Sequence, residues 1–268
     1  MNVDGKRVLV TGGSSGIGKA LTRTLLMKGA KVVISARRSD VLATAVEEFR
    51  RLSPDVWSIT ADVATATGRR ATLKQALSAL NGLDVLVNNA GGVRAGRLEK
   101  TAEAELRSMI EVDLVAPILL TRAAMPALRE SGDAMIVNVA SVAALVGMPF
   151  YATYGGAKAG LARFGEGLRR ELKGEGIHVL NVFPAGTDTP MMKSNHAGPE
   201  LGFSLEPAEE VAAAIVEGIE ANALEVVRGP EARRQMITLN QSNPAAIDEL
   251  MLELRAALEV AVQDHCAL

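Results

Sequence analysis

Residues 7–20 read RVLVTGGSSGIGKA: an apolar run from Arg7 to Thr11, a glycine-rich turn, and the start of a helix-length segment that Gly29 closes. The run is too continuously apolar for a strand with one wet face, but it suits a parallel sheet covered on both sides. Similar runs recur at residues 31–36, 56–60, 84–88, 134–141, 178–183 and 225–227, with amphipathic helical segments between them. One helix is expected from about residue 16 to 28, and another is capped by Ser39 and closed at Ser53-Pro54. Seven strands alternating with helices predict a three-layer, doubly wound α/β fold with a seven-stranded parallel sheet. The rhythm never breaks at a polar linker, so residues 1–230 read as one domain. Residues 231–268, after Gly229-Pro230, read as a C-terminal helical extension, with Ile247, Leu250, Met251, Leu254 and Leu258 at helical spacing. This stripe could cover the chain's own pocket or pair with another subunit. Between Thr187 and Leu205 the pattern lapses into a loop long enough to be functional.

Composition excludes several classes. The 268 residues are 48% hydrophobic but only 3% aromatic, with five Phe, two Tyr and one Trp, so the core is aliphatic. That length buries a sizeable core without disulfide or metal staples. With 29 Lys plus Arg against 31 Asp plus Glu, the net charge of -2 gives no general attraction to nucleic acid or anionic lipid. No apolar run reaches the ~18 residues of a membrane span, and MNVDGKRVLV lacks a signal-peptide apolar stretch, so a cytoplasmic protein is expected. A lone Cys266 and three scattered histidines, His178, His196 and His265, offer no cluster at metal-ligand spacing.

Glycines between a strand and a helix let the backbone approach a phosphate at the positive helix N-terminus. Two readings compete for this loop. As a P-loop, Gly13, Gly18 and Lys19 fit GxxxxGK, but Ala20 stands where a hydroxyl should hold magnesium. As a dinucleotide loop, Gly12, Gly16 and Gly18 follow GxxxGxG instead of GxGxxG.

That GxxxGxG spacing resembles the short-chain dehydrogenase/reductase family, and further matches follow in the family's order. Asn88-Asn89-Ala90-Gly91 is similar to its NNAG motif, Ser141 ends the fifth strand, and Tyr154 and Lys158 form YxxxK thirteen residues later. The resemblance covers about residues 5–229 and implies a Rossmann-type NAD(P)-binding oxidoreductase. It casts Tyr154 as proton donor or acceptor, Lys158 as the holder of the nicotinamide ribose, and Ser141 as a hydrogen-bond partner of the substrate carbonyl. A free tyrosine is almost wholly protonated at pH 7, and the Lys158 ammonium, aided by an oxidised nicotinamide cation, is expected to bring Tyr154 into working range. Where the family often has an Asn that binds a relay water, this chain has Asp113, taken as a relay residue. The resemblance also implies cofactor contacts at Thr11, Gly12, Ser14, Ser15, Gly16, Ile17, Gly18, Asp62, Val63, Asn89, Ala90, Gly91, Tyr154, Lys158, Pro184, Thr187 and Thr189. Phe183-Pro184-Ala185-Gly186 stands where the family commonly has Pro-Gly directly. A homo-oligomer is a further family expectation. The alternative to an enzyme is a nucleotide-binding regulator on the same fold.

At the end of the second strand an NAD enzyme usually places a carboxylate on the ribose hydroxyls; this chain has Arg37 and Arg38. A guanidinium pairs with a 2′-phosphate that a carboxylate would repel, so NADP(H) is preferred and NAD(H) remains possible. Substrate walls are expected from residues 92–97, 142–151 and 187–205. These include Val142, Leu145, Val146, Met148, Phe150, Met191, Met192 and Phe203, with Tyr151 as a wall or packed ring. They suit a largely apolar ketone, aldehyde or secondary alcohol, while Arg94 and Arg97 could receive an acidic group, although arginines in such a loop are more often solvated. The loop 187–205 is expected to act as a lid.

Overall fold

The computed structural model describes residues 1–268. Seven parallel strands make the central sheet: β1 Arg7–Thr11, β2 Lys31–Ala36, β3 Val56–Thr60, β4 Val85–Asn88, β5 Ala134–Val139, β6 Ile177–Phe183 and β7 Glu225–Val227. Their order is β7-β6-β5-β4-β1-β2-β3, and it reverses between β1 and β4. The continuous apolar runs follow from burial on both faces. Val8, Val10, Val32, Ile34, Val85 and Val87 pack under α1 Gly16–Met27, α2 Ser39–Arg50 and α7 Ala208–Glu220. Leu9, Val33, Leu86 and Ile136, between them in sequence, face α3 Ala66–Leu80 and α5 Ala116–Ser131. Each such side chain contributes ~1.5–3 kcal/mol when fully buried. No helix is long and apolar enough to cross a membrane.

A carboxylate clamps the sheet where β1 and β4 begin. Asp84 accepts from the Arg7 backbone N–H at 2.8 Å, from its Nε at 2.9 Å and Nη2 at 2.6 Å, and from Ser131 Oγ at 2.7 Å. Burial alone would raise the Asp84 carboxyl, but these donors outweigh it and lower its pKa to about 2. A polar row crosses the middle of the sheet, where Asn88, Asn138 and Asn181 are in register on β4, β5 and β6. Asn88 Nδ2 donates to Asn138 Oδ1 at 3.0 Å, Asn138 Nδ2 to Asn181 Oδ1 at 3.3 Å, and Asn181 Nδ2 to the Ala162 carbonyl of α6 Ala152–Glu171 at 3.0 Å. The row fastens α6 to the sheet.

Local expectations needed revision at three places. The fifth strand stops at Val139, leaving Ser141 beyond it as the cap of a short 3-10 turn. Val142 N–H still donates to the Pro184 carbonyl at 2.9 Å, but Pro184 has no N–H to return. Ser39 is the first residue of α2, with Arg38 in the cap position and no side-chain capping bond. The tail is two helices, α8 Glu231–Ser242 and α9 Pro244–Val262, followed by a two-residue strand, Cys266–Ala267, antiparallel to Val93–Arg94. It folds back onto its own chain: Ile247 and Met251 bury against Val146, and Leu258 and Val262 against Val93 and Tyr151. Leu250 is exposed and Leu254 only half-buried, so the stripe is narrower than its spacing suggested.

Candidate active site

The reversal of strand order opens a crevice at the carboxyl ends of β1 and β4, where ligands bind in open α/β sheets. A cavity of about 430 Å³ lies there. Its first wall is the glycine loop. Gly12 and Gly16 take positive φ, +68° and +52°, so the chain can turn sharply into α1. A Cβ on Gly18 would stand 2.3 Å from the Gly12 carbonyl oxygen and 2.4 Å from Asn89 Nδ2, so only glycine brings helix and loop this close. Ser15 caps α1 without a side-chain bond and the first turn holds no acidic residue. The helix thus presents free N–H groups and the positive end of its dipole to the cavity. Lys19 pairs with Glu48 at 2.7 Å, away from where a P-loop lysine would hold phosphates.

Ser14, Ser15, Gly16, Ile17, Gly18, Arg37, Arg38, Val63, Asn89, Ala90 and Gly91 line the cavity with Gly12, as do Pro184, Thr187 and Thr189, the last packed beside Gly16. Arg37 and Arg38 are exposed, and neither has a carboxylate partner within salt-bridge distance. Two expected contacts lie behind the wall instead. Thr11 is buried, its hydroxyl accepting from Asn89 and Ala90 N–H at 3.0 and 3.1 Å and donating to the Val87 carbonyl, so it shapes the NNAG turn. Asp62 turns its carboxylate to Ala64 N–H at 3.0 Å to form the bend into α3, leaving Val63 on the cavity side.

Ser141, Tyr154 and Lys158 meet in the same cavity, the first from the end of β5 and the others from one face of α6. Lys158 is buried; its Nζ donates to the Val139 carbonyl at 3.0 Å and lies 5.9 Å from the centroid of the Tyr154 ring. Its other partner is Asp113, on a π-helical turn, Glu111–Val115, between α4 Glu103–Ile110 and α5. Asp113 Oδ1 is 3.1 Å from Lys158 Nζ and accepts from Gly92 N–H at 3.3 Å. Asp113 thus contacts Lys158 directly, and it stands outside the cavity lining. The extra residue of a π-turn bulges the helix, and such bulges are frequent at functional sites.

This pair changes the electrostatics of Tyr154. Burial pushes the phenol up, Lys158 and Ser141 pull it down, and Asp113 pushes it up again, with a raised pKa as the result. Burial is the largest of these causes, and Asp113 opposes the lowering that Lys158 exerts on the phenol. Burial works against the Lys158 ammonium, but Asp113 and Tyr154 outweigh it and hold its pKa above the usual value. Burial in turn raises the Asp113 carboxyl, against Lys158 and Gly92.

Val142, Met148, Tyr151, Met191, Met192 and Phe203 line the remaining half, whereas Leu145, Val146 and Phe150 do not. Arg94 and Arg97 are not on the wall either. Arg94 pairs with Glu105 at 3.2 Å and donates to the Gln263 carbonyl, and Arg97 pairs with Glu259 of α9 at 2.5 Å, so both fasten the tail. Sequence reasoning missed the residues that the tail contributes: Arg233, His265, Ala267 and Leu268. Tyr151 donates its hydroxyl to His265 Nδ1 at 2.8 Å, and His265 Nε2–H donates to the Met191 carbonyl at 3.0 Å. Burial lowers the imidazole's pKa and raises that of Tyr151, so both groups stay neutral, as these bonds require. Asn195 Nδ2 donates to the same hydroxyl at 3.1 Å, and Ser194 Oγ accepts from Cys266 N–H at 3.2 Å. The loop of residues 187–205 is thereby tied to the tail.

Comparison with known proteins agrees with this fold. The family model described as short chain dehydrogenase matches residues 6–200. The ketoacyl reductase HetN of Nostoc sp. is 31% identical over 253 residues, covering 92% of this chain and 88% of that protein. The 3-oxoacyl-(acyl-carrier-protein) reductase FabG of Escherichia coli is 34% identical over 194 residues, 72% of this chain and 78% of that protein. A short-chain dehydrogenase/reductase of Burkholderia phymatum, solved with NAD, shares the fold with a TM-score of 0.83 over 92% of this chain and 96% of that one, at 24% identity. A short chain dehydrogenase of Burkholderia cenocepacia, solved with NADP, superposes with a TM-score of 0.77 at 31% identity over 85% of this chain and 97% of that one. A family match across nearly three quarters of the sequence, with relatives above 30% identity, shows that the chain belongs to the short-chain dehydrogenase family.

Proposed function

We propose that the protein is an NADP-dependent oxidoreductase acting between a carbonyl compound and the corresponding secondary alcohol, with Tyr154 handling the proton on the substrate oxygen. The observation that carries this reading is the convergence of Ser141, Tyr154 and Lys158 on the cavity that the glycine loop walls on its other side. The loop fits a dinucleotide: glycine at 18 lets helix and loop close up against each other, and the N–H groups of α1 are free for a pyrophosphate. The unpaired Arg37 and Arg38 suit a 2′-phosphate, and the Burkholderia cenocepacia relative was solved with NADP.

When bound, the nicotinamide supplies or accepts the hydride. Ser141 orients the substrate oxygen by a hydrogen bond. Tyr154, held neutral by burial and Asp113, keeps a proton to donate, which suits carbonyl reduction near neutral pH. Lys158 holds the ribose and, with its charge shared by Asp113, restrains the phenol without ionising it. The apolar lining from Val142, Met148, Met191 and Phe203 suits a largely apolar substrate.

The test is NADPH oxidation over a panel of carbonyl compounds with wild type and Tyr154→Phe. Tyr154→Phe is expected to bind NADPH as wild type does and to lose turnover by at least ~100-fold. A variant of near-wild activity would remove Tyr154 from this role. Tight NADPH binding with no turnover across the panel would favour a nucleotide-binding regulator.

A further inference from the structure

Two cations of this chain, Lys158 and Arg233, are fewer than one tenth exposed. Lys158 has Asp113 as its counterion. Arg233, on the first turn of α8, has no carboxylate within salt-bridge distance, although its half-buried neighbour Arg228 is paired with Glu206. The guanidinium donates to the Gly202 carbonyl at 2.6 Å and points Nη1 at two thioethers, Met148 Sδ at 3.4 Å and Met236 Sδ at 3.3 Å. Sulfur is a weak acceptor, so one arm of the fork lacks a strong partner. Burial lowers the pKa of this guanidinium, with no acid to oppose the effect.

Arg233 also lines the cavity. It stands in the half walled by Met148, Gly202 and Phe203, and no Asp or Glu occurs anywhere on that lining. A buried charge is normally paired, because withdrawing it from water without a counterion costs several kcal/mol. The geometry points to Arg233 as the recognition point for a carboxylate on the substrate, so that the enzyme takes an oxo or hydroxy acid with its carboxylate set apart from the reacting carbon. A carboxylate suits the site better than a phosphate dianion, since one guanidinium among methionines balances one negative charge and offers a planar fork to two oxygens. This inference rests on the oxidoreductase reading for the word substrate, but its binding test does not.

Calorimetric titration of the full chain, with and without saturating NADP, would compare octanoate with octanamide, two probes of the same apolar length. Wild type is expected to bind octanoate at least ~10-fold more tightly than octanamide, the scale of a charge-assisted hydrogen bond. Arg233→Met fits beside Met148 and Met236 and should abolish that preference while leaving octanamide binding unchanged. Arg233→Lys, which keeps the charge without the fork, should retain part of it. Equal binding of the two probes by wild type, a preference that survives in Arg233→Met, or no binding of either at millimolar concentration would overturn the assignment. A preference for octanoate in a protein that reduces no oxo acid would count against the oxidoreductase reading and leave the carboxylate site standing.

Discussion

Replacing Asp113 by Asn tests whether the buried acid sets the proton affinity of Tyr154. The amide keeps an oxygen for Gly92 N–H and for Lys158 Nζ, now 3.3 and 3.1 Å away, so the geometry is retained while one negative charge is removed. With Lys158 Nζ 5.9 Å from the Tyr154 ring centroid and 3.1 Å from Asp113, the carboxylate oxygen lies within about 9 Å of that ring. At an effective dielectric near 20, a charge at about 9 Å contributes about 1.8 kcal/mol. Asp113 raises the phenol and Lys158 lowers it, so neutralising Asp113 must move the pKa of Tyr154 down. Oxidation of a secondary alcohol needs the phenolate, so the rising limb of its kcat/KM profile should shift to lower pH by about one unit. Tyrosinate absorbance offers a second readout, because the chain has only two tyrosines and burial pushes Tyr151 up as well. In a Tyr151→Phe background the remaining signal belongs to Tyr154 and should move by the same amount. A limb and an absorbance step that stay in place, or move upward, would refute the electrostatic role of Asp113.

Three further outcomes follow from the same geometry. Arg37→Ala should weaken NADPH binding roughly 10–100-fold in a fluorescence titration and change NADH binding little, in line with one lost charge-assisted contact; tighter NADH than NADPH binding by wild type would contradict the assignment. Asp84, with a folded pKa of about 2 against a usual 3.8, contributes about 2 kcal/mol that is fully present above the higher value and lost as pH falls through the lower. Asp84→Asn should therefore be less stable by that amount in urea at pH 7, with the gap closing toward pH 2. Tyr151→Phe leaves the buried His265 Nδ1 without its donor, which costs ~1–3 kcal/mol; faster proteolysis within residues 231–268 and a lower Tm are expected, and an unchanged tail would show that the bond does not hold it.

The sheet was legible because its inner strands are buried on both faces: the runs Val8–Val10 and Val32–Ile34 are apolar and buried throughout, and the observed limits of Lys31–Ala36 and Val56–Thr60 match the expected ones. The glycine loop was legible because its requirement is steric and local, as the space around Gly18 shows. Thr11 and Asp62 were expected as cofactor contacts and neither lines the cavity, since a motif fixes a residue's position along the chain but not the direction its side chain takes. Asn138 and Asn181 carry no local signal; their function as a row exists only once β4, β5 and β6 are in register. Arg233 and His265 reach the cavity through the return of the tail, and the helical spacing of α9 says nothing about where α9 docks. The opposite error occurred at Arg94 and Arg97, which had the right charge for an acidic ligand but meet Glu105 and Glu259.

The wall built by His265, Ala267 and Leu268 has a consequence for how the site comes into being during synthesis. The lining residues from Gly12 to Thr189 are synthesised before this wall, and α7 and β7, which complete the sheet and its cover, come between the two. At roughly 5–20 residues per second, the following 79 residues take about 4–16 s to add. The antiparallel pairing of Cys266–Ala267 with Val93–Arg94 is then a late event that joins two segments about 170 residues apart and turns a nucleotide-binding sheet into a selective pocket.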